Sequence, residues 1–278
     1  MRDVEALIGA VDGLASAYAH RLDAEGEVAI GPVDRLFPTG SAAKLLVLLA
    51  FAEQVEAGAI DPELRVTMTA AFRDARPGSG VLRYLQDALS LTLQDCATLM
   101  MIVSDNVATD LLLDELGGPA TVNEVISVHG VRGASLASPT VWVMPPAQFG
   151  LASPRGLATA AEQLAWSTPV AERCRAIMWR HQHRDGFARL VPFQPDMPDF
   201  GLASPLRLWS KSGSYPTVSC EVGLFETDHA RWVLAVMAED LADWGNGSTA
   251  AGPTLRANVS RALYDAWGGP TIGQAGPP

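Results

Sequence analysis

Lysine is nearly absent from this 278-residue chain: of 20 Lys and Arg side chains only two are lysine, Lys44 and Lys211. Arginine carries the remaining basic duty, such as solubility and ion pairing. Arginine keeps its proton near neutral pH, whereas a partly desolvated lysine, or one beside another cation, can lose it. The two surviving lysines therefore mark positions that need a titratable amine or a compact point charge. Basic charge as a whole is also scarce. The net charge is −11, which leaves no footprint for nucleic acid or for an anionic membrane surface. No apolar run reaches transmembrane length. The segment Met1–Ala6 carries acids where a signal peptide needs an uninterrupted apolar stretch, so a cytoplasmic location is expected. Three separated cysteines, Cys96, Cys174 and Cys220, form neither a C-x-x-C pair nor a metal spacing and read as small buried apolar residues in a reducing compartment. His181 and His183 have no third ligand nearby and read as a solvated helix end or loop rather than a metal pair. No metal and no cofactor is implied.

Hydrophobic residues make up 48% and charged residues 18% of the chain, enough for a sizeable core. A helix is expected over residues 3–13, then short strands over 15–22 and 26–30 around an Asp-Ala-Glu-Gly turn. Ser41 to Ala57 is strongly apolar, with Lys44 the only charge before Glu53, and reads as a buried helix ended by Gly58. From Leu64 to about Phe193 the signals are mainly helical, with a Pro- and Ser-containing loop over 134–152. Ser153-Pro154 starts another helix, serine as cap and proline in the first turn. After Leu206 the pattern turns to strands, over 206–210, 218–226 and 231–238, followed by a closing helix over 253–267 and a tail read as disordered. Strands at both ends with helices between imply an α/β layer made from both termini (about 1–45 and 196–268), and an inserted helical lobe (about 46–195). The site is expected in the cleft between them.

Three short motifs carry chemistry. In Ser41-Ala42-Ala43-Lys44 a hydroxyl at a helix start meets free backbone N–H groups, and an amine three residues on shares its face. That amine, when neutral, can take the hydroxyl proton. Such a pair alone is common, and a serine cap is the ordinary reading. Ser104-Asp105-Asn106 interrupts the apolar stretch from Thr92 to Leu113. Burying three polar groups is costly unless they are paired, so either a capped helix-to-helix turn or a site is implied. Lys211-Ser212-Gly213 lies on a strand before a turn, where glycine would let a ligand approach the strand edge.

Taken in order, the three resemble the S-x-x-K, S-D-N and K-T-G set of class A β-lactamases and penicillin-binding proteins, serine replacing threonine in the third. The likeness extends to the Phe37-Pro38-Thr39-Gly40 lead-in and to Ala108-Thr109 and Leu111-Leu112 after the second motif, and covers roughly residues 10–268 of a single domain expected over 1–268. It implies an antiparallel sheet flanked by helices with an all-helical insertion. It implies roles as well: Ser41 as acyl-accepting nucleophile, Lys44 as its activator, Ser104 as proton relay to the leaving nitrogen, and Lys211 as the charge that keeps Lys44 partly neutral and orients Ser104. Asn106 would hold the substrate or Lys44; Ser212, Gly213 and Ser214 would bind substrate, and the N–H groups of Ser41 and Ser214 would form the oxyanion hole, worth about 3–4 kcal/mol per donor. The substrate would be a small amide, lactam or ester, and the enzyme a hydrolase, most of all of cyclic amides. A transacylase, esterase or cyclase of small-molecule biosynthesis and a slowly acylated β-lactam sensor are the alternatives.

Two features depart from the family pattern. Residues 125–161 contain no Asp or Glu, where class A enzymes carry the glutamate that positions the deacylating water. Gln148 is the nearest polar candidate, and an amide is no base. The strand after Lys211 has no Arg or Lys over 214–226 to hold a substrate carboxylate. Glu221 on that strand is expected to pair with the N-terminal layer, or else to disfavour an anionic substrate. Trp142 is expected to pack or to line the pocket.

Overall fold

The computed structural model describes residues 2–141 and 149–268. Helix α1 (Arg2–Gly9) leads into β1 (Leu14–Arg21) and β2 (Glu27–Ile30). The chain returns to the same sheet only with β8 (Arg207–Tyr215), β9 (Val218–Glu226) and β10 (Arg231–Glu239). All neighbours are antiparallel, in the order β2-β1-β10-β9-β8. The first strand therefore pairs the last, and the sheet is built from both termini as expected. In β9 every residue from Val218 to Phe225 is buried, because both faces are covered. Helices α1 and α9 (Ala251–Trp267) close one side. Helix α7 (Pro154–Glu162), inside the span expected for the helical lobe, packs on the other side against β1, β9 and β10. Two cores result, one between the sheet and the terminal helices and one between the sheet and the insertion.

At the heart of the insertion is α2 (Lys44–Glu56), buried without a break from Lys44 to Ala52. A helix apolar on all sides has to be surrounded, and α4 (Leu93–Ile102), α6 (Gly118–Val128) and α8 (Pro169–Met178) surround it. The expected helix start at Ser41 is instead a 3₁₀ turn, Gly40–Ala43, and α-helix begins at Lys44. The break between α4 and α5 (Asn106–Glu115) falls on Ser104-Asp105, with Asp105 capping α5 through Ala108 N–H at 3.0 Å. The serine cap of α7 is present too: Ser153 Oγ accepts from Gly156 N–H.

The stretch expected to be mainly helical holds two small sheets. One pairs β4 (Arg65–Met68) with β5 (Leu89–Thr92). The other joins β3 (Phe37–Pro38) to β7 (Gly150–Ala152) and β6 (Ala134–Leu136), inside the expected loop. Strands of two to four residues carry no readable period, and their partners are distant in sequence. The three cysteines are free and buried. Gln148, Trp142 and the tail beyond Gly268 lie outside the described residues.

His181 corrects the reading of a solvated histidine. It is 3% exposed, stacks on Phe193 and lies 3.3 Å from Ser210 Oγ through Nε2. Burial, assisted by the Lys211 charge, lowers its pKa from 6.5 to about 3. The unfolded chain therefore takes up this proton first, and stability is lost as pH falls from 6.5 towards 3. Between pH 7.5 and 5 the wild type should lose about 2 kcal/mol more than His181→Gln. Urea unfolding of both proteins at the two pH values measures this difference, and equal losses would show that His181 does not carry it.

Candidate active site

The site forms where the 3₁₀ turn Gly40–Ala43, the α4–α5 break and the edge strand β8 meet. Its cavity of about 250 Å³ is lined by Ser41, Ser79, Ser104 and Ser212–Ser214 on one side and by His183, Asp185, Gly186, Asn246 and Arg256 on the other. The turn and the strand are in direct contact, and glycine permits it. A Cβ on Gly213 would lie 2.2 Å from Thr39 O, 2.6 Å from Ala42 N and 2.7 Å from Ser41 N. Gly40, at φ +52°, has Ser214 N only 2.9 Å from where its Cβ would be. Glycine at 213 thus admits the nucleophile's own turn rather than a ligand. The contact is reciprocal: the Ser41 nitrogen lies against Gly213 and the Ser214 nitrogen against Gly40.

Lys44 has no exposed surface. Its Nζ donates to Ser104 O at 2.7 Å, Asn106 Oδ1 at 2.8 Å and Ser104 Oγ at 3.2 Å. Among the described residues these are its three acceptors, and Ser41 Oγ, one turn back, is not among them. Burial first, and then the Lys211 charge, push the Lys44 amine well below the usual lysine range, against Asp105 and Asp110. Lys211, 1% exposed, donates to Ser212 O at 2.8 Å. Its pKa falls to about 7 through burial, with Arg256 adding and Glu221 opposing. The Lys211 charge opposes protonation of Lys44, so a proton on Lys211 disfavours one on Lys44.

Backbone geometry at the break serves this arrangement. Ser104 has φ +55°, a left-handed conformation that is unfavourable for serine. It turns the Ser104 carbonyl and hydroxyl together onto Lys44. Ser79 Oγ donates to the same carbonyl at 2.7 Å. Asp105, fully buried, accepts from Val81 N at 2.6 Å and Leu82 N at 2.8 Å and so ties the 79–82 strip to the break. Asn106 Nδ2 donates to Pro77 O at 2.9 Å, which aims Oδ1 at Lys44.

Sequence reasoning missed four contributors: Ser79, Asp110, Asp185 and Arg256. Asp110 is fully buried on α5 and anchors the start of the carboxylate-free loop. It accepts from Val141 N at 2.8 Å, Arg76 Nε at 2.9 Å and Thr140 Oγ1. Glu221 is buried as expected, but its partner is on the C-terminal helix, not in the N-terminal layer. Arg256 Nη1 reaches Glu221 Oε2 at 3.2 Å, because α9 packs across β9. Arg256 is also the cation at this edge that the sequence of β9 does not provide. Asp110 fills the unspecified position between Thr109 and Leu111 in the second motif's continuation, and no local signal marks it or Arg256.

The family model described as "Beta-lactamase enzyme family" matches residues 1–267. The β-lactamase of Sphaerobacter thermophilus is 30% identical, with TM-score 0.82 and coverage of 95% of each chain. PBP-A is 25% identical over 95% of this chain and 94% of its own, with TM-score 0.78, and is also known as a leucine-to-glutamate mutant in an acyl-enzyme complex with penicillin G. The extended-spectrum β-lactamase PER-1 of Pseudomonas aeruginosa is 25% identical over 155 residues, 54% of this chain and 50% of that protein. The match thus spans half the length of that curated relative.

Gly213→Ala should reduce the rate of covalent labelling at Ser41 about 100-fold, the scale of losing one oxyanion donor, since the added methyl displaces the turn. Mass spectrometry against time with a reactive lactam measures it. Labelling within threefold of wild type would show that the turn tolerates the displacement.

Proposed function

The chain belongs to the β-lactamase enzyme family, and on that footing we propose that it is a serine hydrolase that opens lactams, amides or esters through an acyl-enzyme on Ser41. The observation that carries this reading is the buried Lys44 amine, depressed in pKa and held by Ser104 and Asn106 one turn from Ser41. In acylation Ser41 Oγ attacks the carbonyl carbon as its proton passes to neutral Lys44 Nζ. The carbonyl oxygen takes the negative charge, stabilised by the N–H groups of Ser41 and Ser214. As the C–N bond breaks, Ser104 Oγ gives its proton to the leaving nitrogen and is reprotonated from Lys44 at 3.2 Å. The product is an ester on Ser41 with every proton accounted for. Ser212 and Ser214 bind the substrate along the β8 edge, and Lys211 supplies charge behind them.

Deacylation is the weak half of this cycle. The stretch 125–161 carries no carboxylate. Asp110 lies next to it, but both its oxygens are engaged by Arg76, Val141 and Thr140, so it tethers the loop rather than activating water. We therefore place this protein among slow β-lactamases. The penicillin acyl-enzyme of the PBP-A mutant supports the same kind of adduct here. The missing carboxylate equally favours a second reading, a slowly acylated sensor, and the lifetime of the adduct separates the two.

Ser41→Ala should abolish labelling by a penicillin. Lys44→Arg should slow acylation as much as Lys44→Ala does, by roughly 10²–10⁴-fold, because a guanidinium cannot accept the serine proton. Stopped-flow acylation rates test the pair, and an arginine variant near wild-type rate would reduce Lys44 to an electrostatic anchor. With penicillin G the unmodified protein should show a burst and then little turnover, with an adduct of intact lactam mass persisting for minutes. Fast steady-state hydrolysis without a detectable adduct would mean that another group, Lys44 foremost, activates the water.

A further inference from the structure

Glu221 stands directly across from Ser212 in the β8–β9 register, on the face of the sheet that supports the cleft. Both its oxygens accept hydrogen bonds. Oε1 accepts from Ser210 Oγ at 2.9 Å, and Oε2 accepts from Phe187 N at 3.0 Å and Arg256 Nη1 at 3.2 Å. Only Gly186 separates this carboxylate from the cavity: a Cβ there would lie 1.8 Å from Glu221 Oε2. Arg256 lines the cavity with its charge already matched by Glu221, and its other Nη1 contact is Cys220 O at 3.2 Å. Asp185 lines the same wall. Of the cations near the Ser212–Ser214 edge, Arg256 is thus already matched by Glu221. An acyl donor with a carboxylate near its reacting carbonyl would meet a guanidinium that is already paired, with the Glu221 carboxylate behind it and Asp185 on the same wall. Discrimination by like charge is an effective way to exclude such a ligand.

We propose that this cleft selects acyl donors with no carboxylate beside the reacting carbonyl, and that Glu221 sets the preference by holding Arg256 as an ion pair beneath the Ser212–Ser214 edge. The inference rests on the acyl-enzyme reading above and deepens it by naming the substrate class: uncharged lactams, amides and esters. Glu221 is a specificity-determining residue that acts through Arg256. Its replacement by glutamine keeps acceptors for Ser210 and Phe187 N–H while freeing the guanidinium for a substrate anion.

The test compares acylation rates of penicillin G and of penicillin G methyl ester, followed as adduct by mass spectrometry. The wild type should react faster with the ester. Glu221→Gln should raise the acid-to-ester rate ratio about tenfold or more, and E221Q combined with R256Q should return it to the wild-type value. A purely structural role for Glu221 would slow both compounds together and leave the ratio unmoved. A wild type that reacts tenfold faster with the acid overturns the proposal without need of any variant. So does a folded E221Q protein, with a melting temperature near wild type, whose ratio is unchanged. Absence of both adduct and hydrolysis with either compound overturns the acyl-enzyme reading and the inference with it, which separates the two failures.

Discussion

The constraint on which the rest depends is the burial of the Lys44 amine. An ammonium removed from water is unstable unless several oxygens surround it, and this site supplies three from one short break between helices. Much of the local architecture follows from that need. The break has to open at Ser104 to present a carbonyl and a hydroxyl together. Asp105 has to cap the next helix and tie down the 79–82 strip. Asn106 has to be held from Pro77 so that its oxygen, not its nitrogen, faces the amine. The same burial eases proton loss from the amine, so one unfavourable desolvation both orders the site and lowers the pKa of Lys44.

The second organising contact is between the nucleophile turn and the edge strand. The lead-in to the helical insertion and the sheet meet there, with Gly40 and Gly213 free of side chains at the contact. On the acyl-enzyme reading, the oxyanion pair takes one N–H from this turn and one from the edge strand. The chemistry depends on how the halves sit together, and the core between them, from Phe37 and Ala42 to Val222 and Leu224, is what keeps that fit.

What was legible in the sequence was what is local. Ser41 and Lys44, Ser104 to Asn106, and Lys211 to Ser214 each lie on a few consecutive residues, and the scarcity of lysine made two of them conspicuous. The sheet from both termini was legible for the same reason, since β1, β9 and β10 are long enough to show apolar runs. What escaped depends on long-range neighbours. Arg256 is an ordinary helix residue until α9 is laid across β9. Asp110 is one acid in an amphipathic helix until residues 140–141 come to it. Glu221 was seen as buried but assigned to the wrong layer, because nothing in β9 tells which helix covers it. Gly213 was singled out for a ligand, whereas the chain's own turn takes the space.

The left-handed Ser104 sets foldability against chemistry at a single residue. Serine in that conformation costs on the order of 1–3 kcal/mol, and glycine would relieve the strain while removing the hydroxyl that the proton relay uses. Any selection or engineering for heat resistance alone would drift towards losing this residue. Serine at this position keeps the hydroxyl facing Lys44 at the cost of that strain.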